Sequence, residues 1–170
     1  MKIRTAFILC AGFGKRLSSI TEKIPKPLIK VKNVCLLENT IKLVQDLKIE
    51  RIKINTFYLG EQINEFIDKL KLPIQIEIIN DGKEILNTGG GLLNLLNKSE
   101  GEDFLVLNPD TLWNFNDLKN IKNMEYFYFD NKIKNVLMVV NKEKSFDKRF
   151  NGDFDLQNNI LINSSNKKFI

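Results

Sequence analysis

Apolar residues fall into short runs separated by longer amphipathic stretches over most of the chain. Thr5–Cys10 is a continuous apolar run of strand length, and Arg51–Asn55, Ile74–Ile79 and Asp103–Leu107 predict three further strands. Between them, Val34–Leu47 predicts a helix with Leu37, Ile41, Val44 and Leu47 on one face. Gly60–Leu70 predicts a second, burying Ile63, Phe66, Ile67 and Leu70, with Pro73 as its stop. A glycine run at 89–91 leads into a short helix through Leu92, Leu93, Leu95 and Leu96. Repeated strand–helix–strand units imply an α/β fold, a mainly parallel sheet in three layers joined by right-handed crossovers. Only the asparagine- and lysine-rich tail reads as loose, and Lys167–Ile170 resembles the opening of a strand.

Sheets of this kind bind ligands outside the carboxyl ends of their strands. Three segments fall there: Ala11–Arg16, Asp81–Gly91 and Asn108–Asp110. The first carries Gly12 and Gly14 and then the basic pair Lys15-Arg16. Glycines let backbone N–H groups approach an anion, and the two cations neutralise its charge. Further on, Pro25 and Pro27 flank Lys26, so its ammonium sits on a stiff segment. The combination suits a polyphosphate. Gly12 and Gly14 taken alone more often serve an ordinary tight turn, and no lysine directly before a Ser or Thr follows them to make this a P-loop. Leu17 stands where a dinucleotide fingerprint needs its third glycine. Asp110 follows the run Phe104–Leu107, which presents its carboxylate at the sheet edge, although Pro109-Asp110-Thr111 also reads as a turn.

Composition narrows the chemistry. At 170 residues the chain has the size of one domain with a real core. There is no histidine, so neither a histidine base nor a histidine metal site is available. The net charge of +5 is spread along the chain rather than clustered, which argues against nucleic acid as the partner. No apolar run approaches a membrane span, and Met1-Lys-Ile-Arg enters a strand without a signal-peptide layout. Cys10 and Cys35 fall in apolar settings and read as buried and reduced, the expectation for a cytoplasmic protein.

Taken in order, Leu9-Cys10-Ala11-Gly12-Phe13-Gly14-Lys15-Arg16 and Pro25-Lys26-Pro27-Leu28 resemble the opening motif of the sugar-phosphate nucleotidyltransferases. Leu86-Asn87-Thr88-Gly89-Gly90-Gly91 is similar to a second glycine-rich loop of that family, in the subgroup with muramate uridylyltransferases and mannose guanylyltransferases. Leu105-Val106-Leu107-Asn108-Pro109-Asp110 is similar to its strand ending in an aspartate. The resemblance covers about Lys2 to Trp113 and implies a Rossmann-like fold of the nucleotide-diphospho-sugar transferase type.

It also implies an activity, the joining of a nucleoside triphosphate to a sugar 1-phosphate with release of pyrophosphate, in nucleotide-sugar biosynthesis for cell-envelope polysaccharide. Arg16, Lys26 and Asp110 would be catalytic, with Mg2+ on Asp110. Ala11, Gly12, Gly14 and Lys15 would hold the nucleotide, together with Thr88, Gly89 and Gly90 of the second loop. A choline-phosphate cytidylyltransferase and a non-catalytic nucleotide-binding fragment share these features and stay open, as does self-association. Family catalytic domains run longer and supply a second metal-binding aspartate. Asp147, Asp153 and Asp155 do not match that motif, so the expectation is a single nucleotidyltransferase domain over residues 1–170, truncated at its C-terminus.

Overall fold

A computed structural model describes residues 1–101, 103–145, 149, 151–165 and 167–170. Two units are distinguished, Met1–Glu125 and Tyr126–Ile170. The first begins with β1 (Thr5–Leu9), α1 (Ser18–Thr21), β2 (Lys30–Val31), β3 (Val34–Cys35) and α2 (Leu36–Asp46). It continues through β4 (Arg51–Thr56), α3 (Gly60–Lys69), β5 (Gln75–Asn80), α4 (Asn87–Asn97) and β6 (Phe104–Leu107) to α5 (Phe115–Asp130), inside which the unit boundary falls.

The sheet runs β5-β4-β1-β6 and every pairing in it is parallel, with Thr5 opposite Arg51 on one side and Phe104 on the other. Strand β1 lies inside, which explains its unbroken apolar run: a strand buried on both faces shows no alternation. Its even residues, Ala6 and Ile8, pack with Ile52 and Ile54 against Leu37, Ile41 and Val44 of α2 and Ile63 and Ile67 of α3. Phe7 faces the opposite way, into a smaller cluster with Ile79 and Leu95 of α4, and stacks on Phe104 at 4.5 Å. Helices therefore cover both faces, giving the three-layer Rossmann-like arrangement. On α4, Leu92, Leu95 and Leu96 share the inward face, whereas Leu93 lies one helical step off it and is exposed.

The helix expected from Val34 starts two residues later. Val34 and Cys35 are taken up by the β2–β3 hairpin, whose turn residues Lys32 and Asn33 are both left-handed, at φ 50° and 70°. Cys35 then caps α2, its Sγ accepting from the Glu38 N–H at 3.3 Å. Both cysteines are free and buried, and burial pushes both thiols up, away from the reactive thiolate. The folded chain is accordingly expected to leave both thiols unmodified by a disulfide reagent over minutes. Both should react at once in denaturant; fast reaction of the native chain would contradict the burial.

The second unit contains β7 (Asp155–Gln157) and β8 (Ile160–Ile162), an antiparallel hairpin turned by the left-handed Asn158 and Asn159. Among its described residues the tail is tied by backbone pairing rather than loose: Val140 and Ile170 exchange two hydrogen bonds of 2.9 Å, Phe154 and Phe169 exchange two of 3.1 and 2.9 Å, and the Lys168 N–H also donates to the Phe154 carbonyl at 2.9 Å. Asp155 accepts from the Leu156 N–H and the Ser164 hydroxyl, Asp153 is exposed, and Asp147 lies outside the described residues. Among the described residues no helix is long and apolar enough to cross a membrane.

Candidate active site

From β1 the chain steps outward to β4 and β5, then returns to place β6 on the other side of β1. The point where the strand order reverses lies between the ends of β1 and β6, where an open parallel sheet leaves a crevice. A cleft of about 390 Å³ occupies it. The loop after β1 contributes Gly12, Gly14, Lys15 and Arg16; Asn108, Pro109 and Asp110 follow β6; Lys26 and Thr88 come from elsewhere in the chain.

The loop after β1 is held by specific contacts. Gly14 is left-handed at φ 66°, and an ideal Cβ there would lie 2.7 Å from Thr21 Cγ2. Buried Thr21 sits under the loop, its hydroxyl 3.1 Å from the Gly14 carbonyl oxygen and 3.0 Å from that of Leu17. The spacer between the glycines and the proline-flanked lysine thus anchors the loop on its own helix. Phe13 packs edge-on against Phe57 at 5.9 Å and tilted against Tyr58 at 5.3 Å, with the Lys15 ammonium 5.3 Å from its ring. Gly12 is different, since an added Cβ would meet nothing within 4 Å. Among the described residues no packing requires a glycine there.

Lys26 starts a one-turn 3₁₀ helix, Lys26–Leu28, with Pro25 as its N-cap residue and Pro27 buried beneath. Its Nζ lies 2.5 Å from Asp110 Oδ2, joining residues 84 positions apart. Among the described residues, no carboxylate pairs with Lys15 or Arg16, and Asp110 is the acid that lines the cleft. Three cations against one carboxylate leave the cleft positive. No cluster of three acidic, cysteine or histidine side chains occurs among the described residues. Asp110 fits a divalent ion that brings phosphate and water oxygens with it, because Mg2+ typically takes only one or two protein carboxylates.

Seven of the residues singled out from the sequence meet at this cleft: Gly12, Gly14, Lys15, Arg16, Lys26, Thr88 and Asp110. Ala11 is buried behind the loop, while Gly89 and Gly90 follow Thr88 in the first turn of α4 without lining the cavity. Asn87, at φ 56°, takes a left-handed conformation that asparagine tolerates better than most residues. Asn108 and Pro109 join the lining through chain adjacency to Asp110. Trp113 packs against the larger core cluster, as its apolar bulk suggests, and its buried indole N–H has no hydrogen-bond partner among the described residues.

Comparison with known proteins agrees with this architecture. Residues 5–150 match the family model described as "Nucleotidyl transferase". The "Bifunctional protein GlmU" of Methanococcus maripaludis is 36% identical over 92% of this chain, which spans 41% of that relative. The D-glycero-alpha-D-manno-heptose 1-phosphate guanylyltransferase of Campylobacter jejuni is 34% identical over 69% of this chain and 52% of its own. Thus the chain spans about half, or less, of the length of these curated relatives. Among solved structures, HddC from Yersinia pseudotuberculosis complexed with GMP-PN superposes over 98% of this chain and 72% of its own, with a TM-score of 0.70 at 21% identity. The UDP-glucose pyrophosphorylase from Acinetobacter baumannii superposes over 76%, covering 54% of its own chain, with a TM-score of 0.63 at 20% identity. With a family model matching most of its length, this chain belongs to the nucleotidyl transferase family.

Proposed function

We propose that the chain transfers a nucleoside monophosphate from a nucleoside triphosphate to a sugar 1-phosphate, releasing pyrophosphate, with Mg2+ as cofactor. The observation that carries this reading is the convergence of Lys26 and Asp110, 2.5 Å apart, on a glycine loop whose Lys15 and Arg16 pair with no acid among the described residues. Family membership and the printed activities of the relatives support it.

In the reaction, a phosphate oxygen of the sugar 1-phosphate bonds to the α-phosphorus. The bond from that phosphorus to the bridging oxygen breaks, and its electron pair leaves with pyrophosphate. The attacking phosphate is largely dianionic near neutral pH, since its second pKa is about 6, so no side-chain base is needed. That agrees with a chain devoid of histidine. Catalysis then rests on positioning and charge neutralisation.

Lys15 and Arg16 hold the β- and γ-phosphates, assisted by backbone N–H groups around Gly12. Lys26 lies between attacking and attacked phosphates, offsetting their mutual repulsion. Asp110 is the residue that would hold Mg2+, which would supply charge neutralisation to the phosphates. Triphosphate entry gives Lys26 a new anionic partner, so its contact with Asp110 is exchanged for one with phosphate. Thr88 and the glycines after it leave backbone open on the base and ribose side.

The test is pyrophosphate release with Mg2+, each of the four NTPs and dTTP being paired with a panel of sugar 1-phosphates and with phosphocholine. Release with one sugar 1-phosphate pair, abolished in Asp110→Asn, is the expected result. Release only with phosphocholine and CTP would move the chain to choline-phosphate chemistry. Nucleotide binding without release from any pair would make it a binding fragment.

A further inference from the structure

Behind the cleft, four elements meet in a buried amide–carboxylate network. Asn55, the fifth residue of β4, is 2% exposed, and Asp81, one residue past β5, is 7% exposed. The Asn55 Oδ1 accepts from the Cys10 N–H at 2.9 Å, the last amide before the glycine loop. Its Nδ2 donates to Asp81 Oδ2 at 2.8 Å. The other oxygen, Oδ1, accepts from Asn94 Nδ2 of α4 at 3.0 Å. Gly91, on the same helix, is so close that a Cβ there would lie 2.5 Å from Asn55 Nδ2.

The chemistry of the chain of bonds is directional. The Cys10 N–H fixes Asn55 with its oxygen toward β1, which leaves Nδ2 facing Asp81. Position 81 therefore needs an acceptor toward Asn55 and a second toward Asn94, and a carboxylate offers both. A buried carboxylate is costly unless hydrogen-bonded, and a surface turn after β5 would need none. The network joins the end of β1, from which the triphosphate loop springs, to α4, whose first turn carries Thr88 and the glycines.

We propose that Asn55 and Asp81 are positioning residues that set the spacing between the loop at Ala11–Arg16 and the first turn of α4. Neither touches substrate; they act through the two segments that flank the nucleotide. The nucleotide part rests on the function proposed above, whereas the mechanical coupling of the two segments does not.

Amide hydrogen exchange and triphosphate binding, measured on the same variants, test it. Asn94→Ala cuts the network on the half-exposed helix side, where folding is least at risk, and its effect should cross to the other segment. Exchange at Ala11–Arg16 is expected to rise about tenfold although the described hydrogen bonds of Asn94 run to Asn80 and Asp81 and not to that loop. Asn55→Asp sets two carboxylates face to face and should weaken Mg2+–NTP binding at least tenfold. The double variant Asn55→Asp/Asp81→Asn reverses donor and acceptor, restores all three hydrogen bonds and should return binding to within about threefold of wild type. A role in stability alone would raise exchange throughout the chain rather than at these two segments. Exchange changes confined to α4 in Asn94→Ala, or a double variant no better than Asn55→Asp, would overturn the proposal. Coupled exchange in Asn94→Ala, with a wild-type chain that binds no triphosphate, would uphold the coupling and sink the nucleotide reading instead.

Discussion

Replacing Lys26 with alanine is expected to lower kcat/KM for nucleotidyl transfer by about 10²–10³-fold, the range seen when one preorganised charge-stabilising donor is removed. Stability should hardly move. The pair with Asp110 is short, yet the two side chains are 26% and 41% exposed. Ion pairs open to water to that degree contribute about 0–1 kcal/mol, a Tm shift of no more than about 4 °C for a chain of this size. Catalysis and stability thus separate at this residue. Equal falls in activity and folded fraction, or an unchanged kcat/KM, would remove Lys26 from the chemistry.

The second large effect concerns the two glycines of the first loop, which differ in why they are glycine. Gly14→Ala meets both a left-handed backbone and Thr21 at 2.7 Å. Strain of that kind costs about 1–3 kcal/mol, which corresponds to about 5- to 150-fold in triphosphate affinity if the bound loop geometry is lost. A Gly12→Ala chain meets nothing internal and should keep its Tm within about 2 °C. Its triphosphate affinity should nevertheless fall tenfold or more, because the added methyl stands where the ligand approaches the backbone. Calorimetric titration together with thermal unfolding reads both quantities. If Gly12→Ala binds triphosphate like wild type, the loop does not meet phosphate there.

Legibility from sequence followed physical range. Strand β1 and helices α2 and α3 were visible because burial imposes their period directly: Leu37, Ile41 and Val44 recur at helical spacing and are all buried. The boundary of α2 was misplaced by two residues, since a hairpin of two-residue strands has no period to detect and Lys32-Asn33 is not the usual left-handed pair. Chemistry on loops was legible where types cluster, as at Gly12–Arg16 and Pro25–Pro27, and the strand-end rule placed Asp110 beside them. That Lys26 reaches Asp110 across 84 residues was not legible. Nor was the Asn55–Asp81–Asn94 network, whose members are common surface residue types at unremarkable spacings. Its one sequence signal was indirect: two polar residues, Asn55 and Thr56, close a strand that is otherwise half apolar, and both are buried.

Titration of the chain with Mg2+–NTP by calorimetry tests the central claim most directly, because it asks whether this cleft is a triphosphate site at all. The expected result is one site per chain for at least one nucleotide, weakened at least tenfold in Asp110→Asn and in Gly12→Ala. Absence of binding for every triphosphate, or equal binding by both variants, would contradict the account.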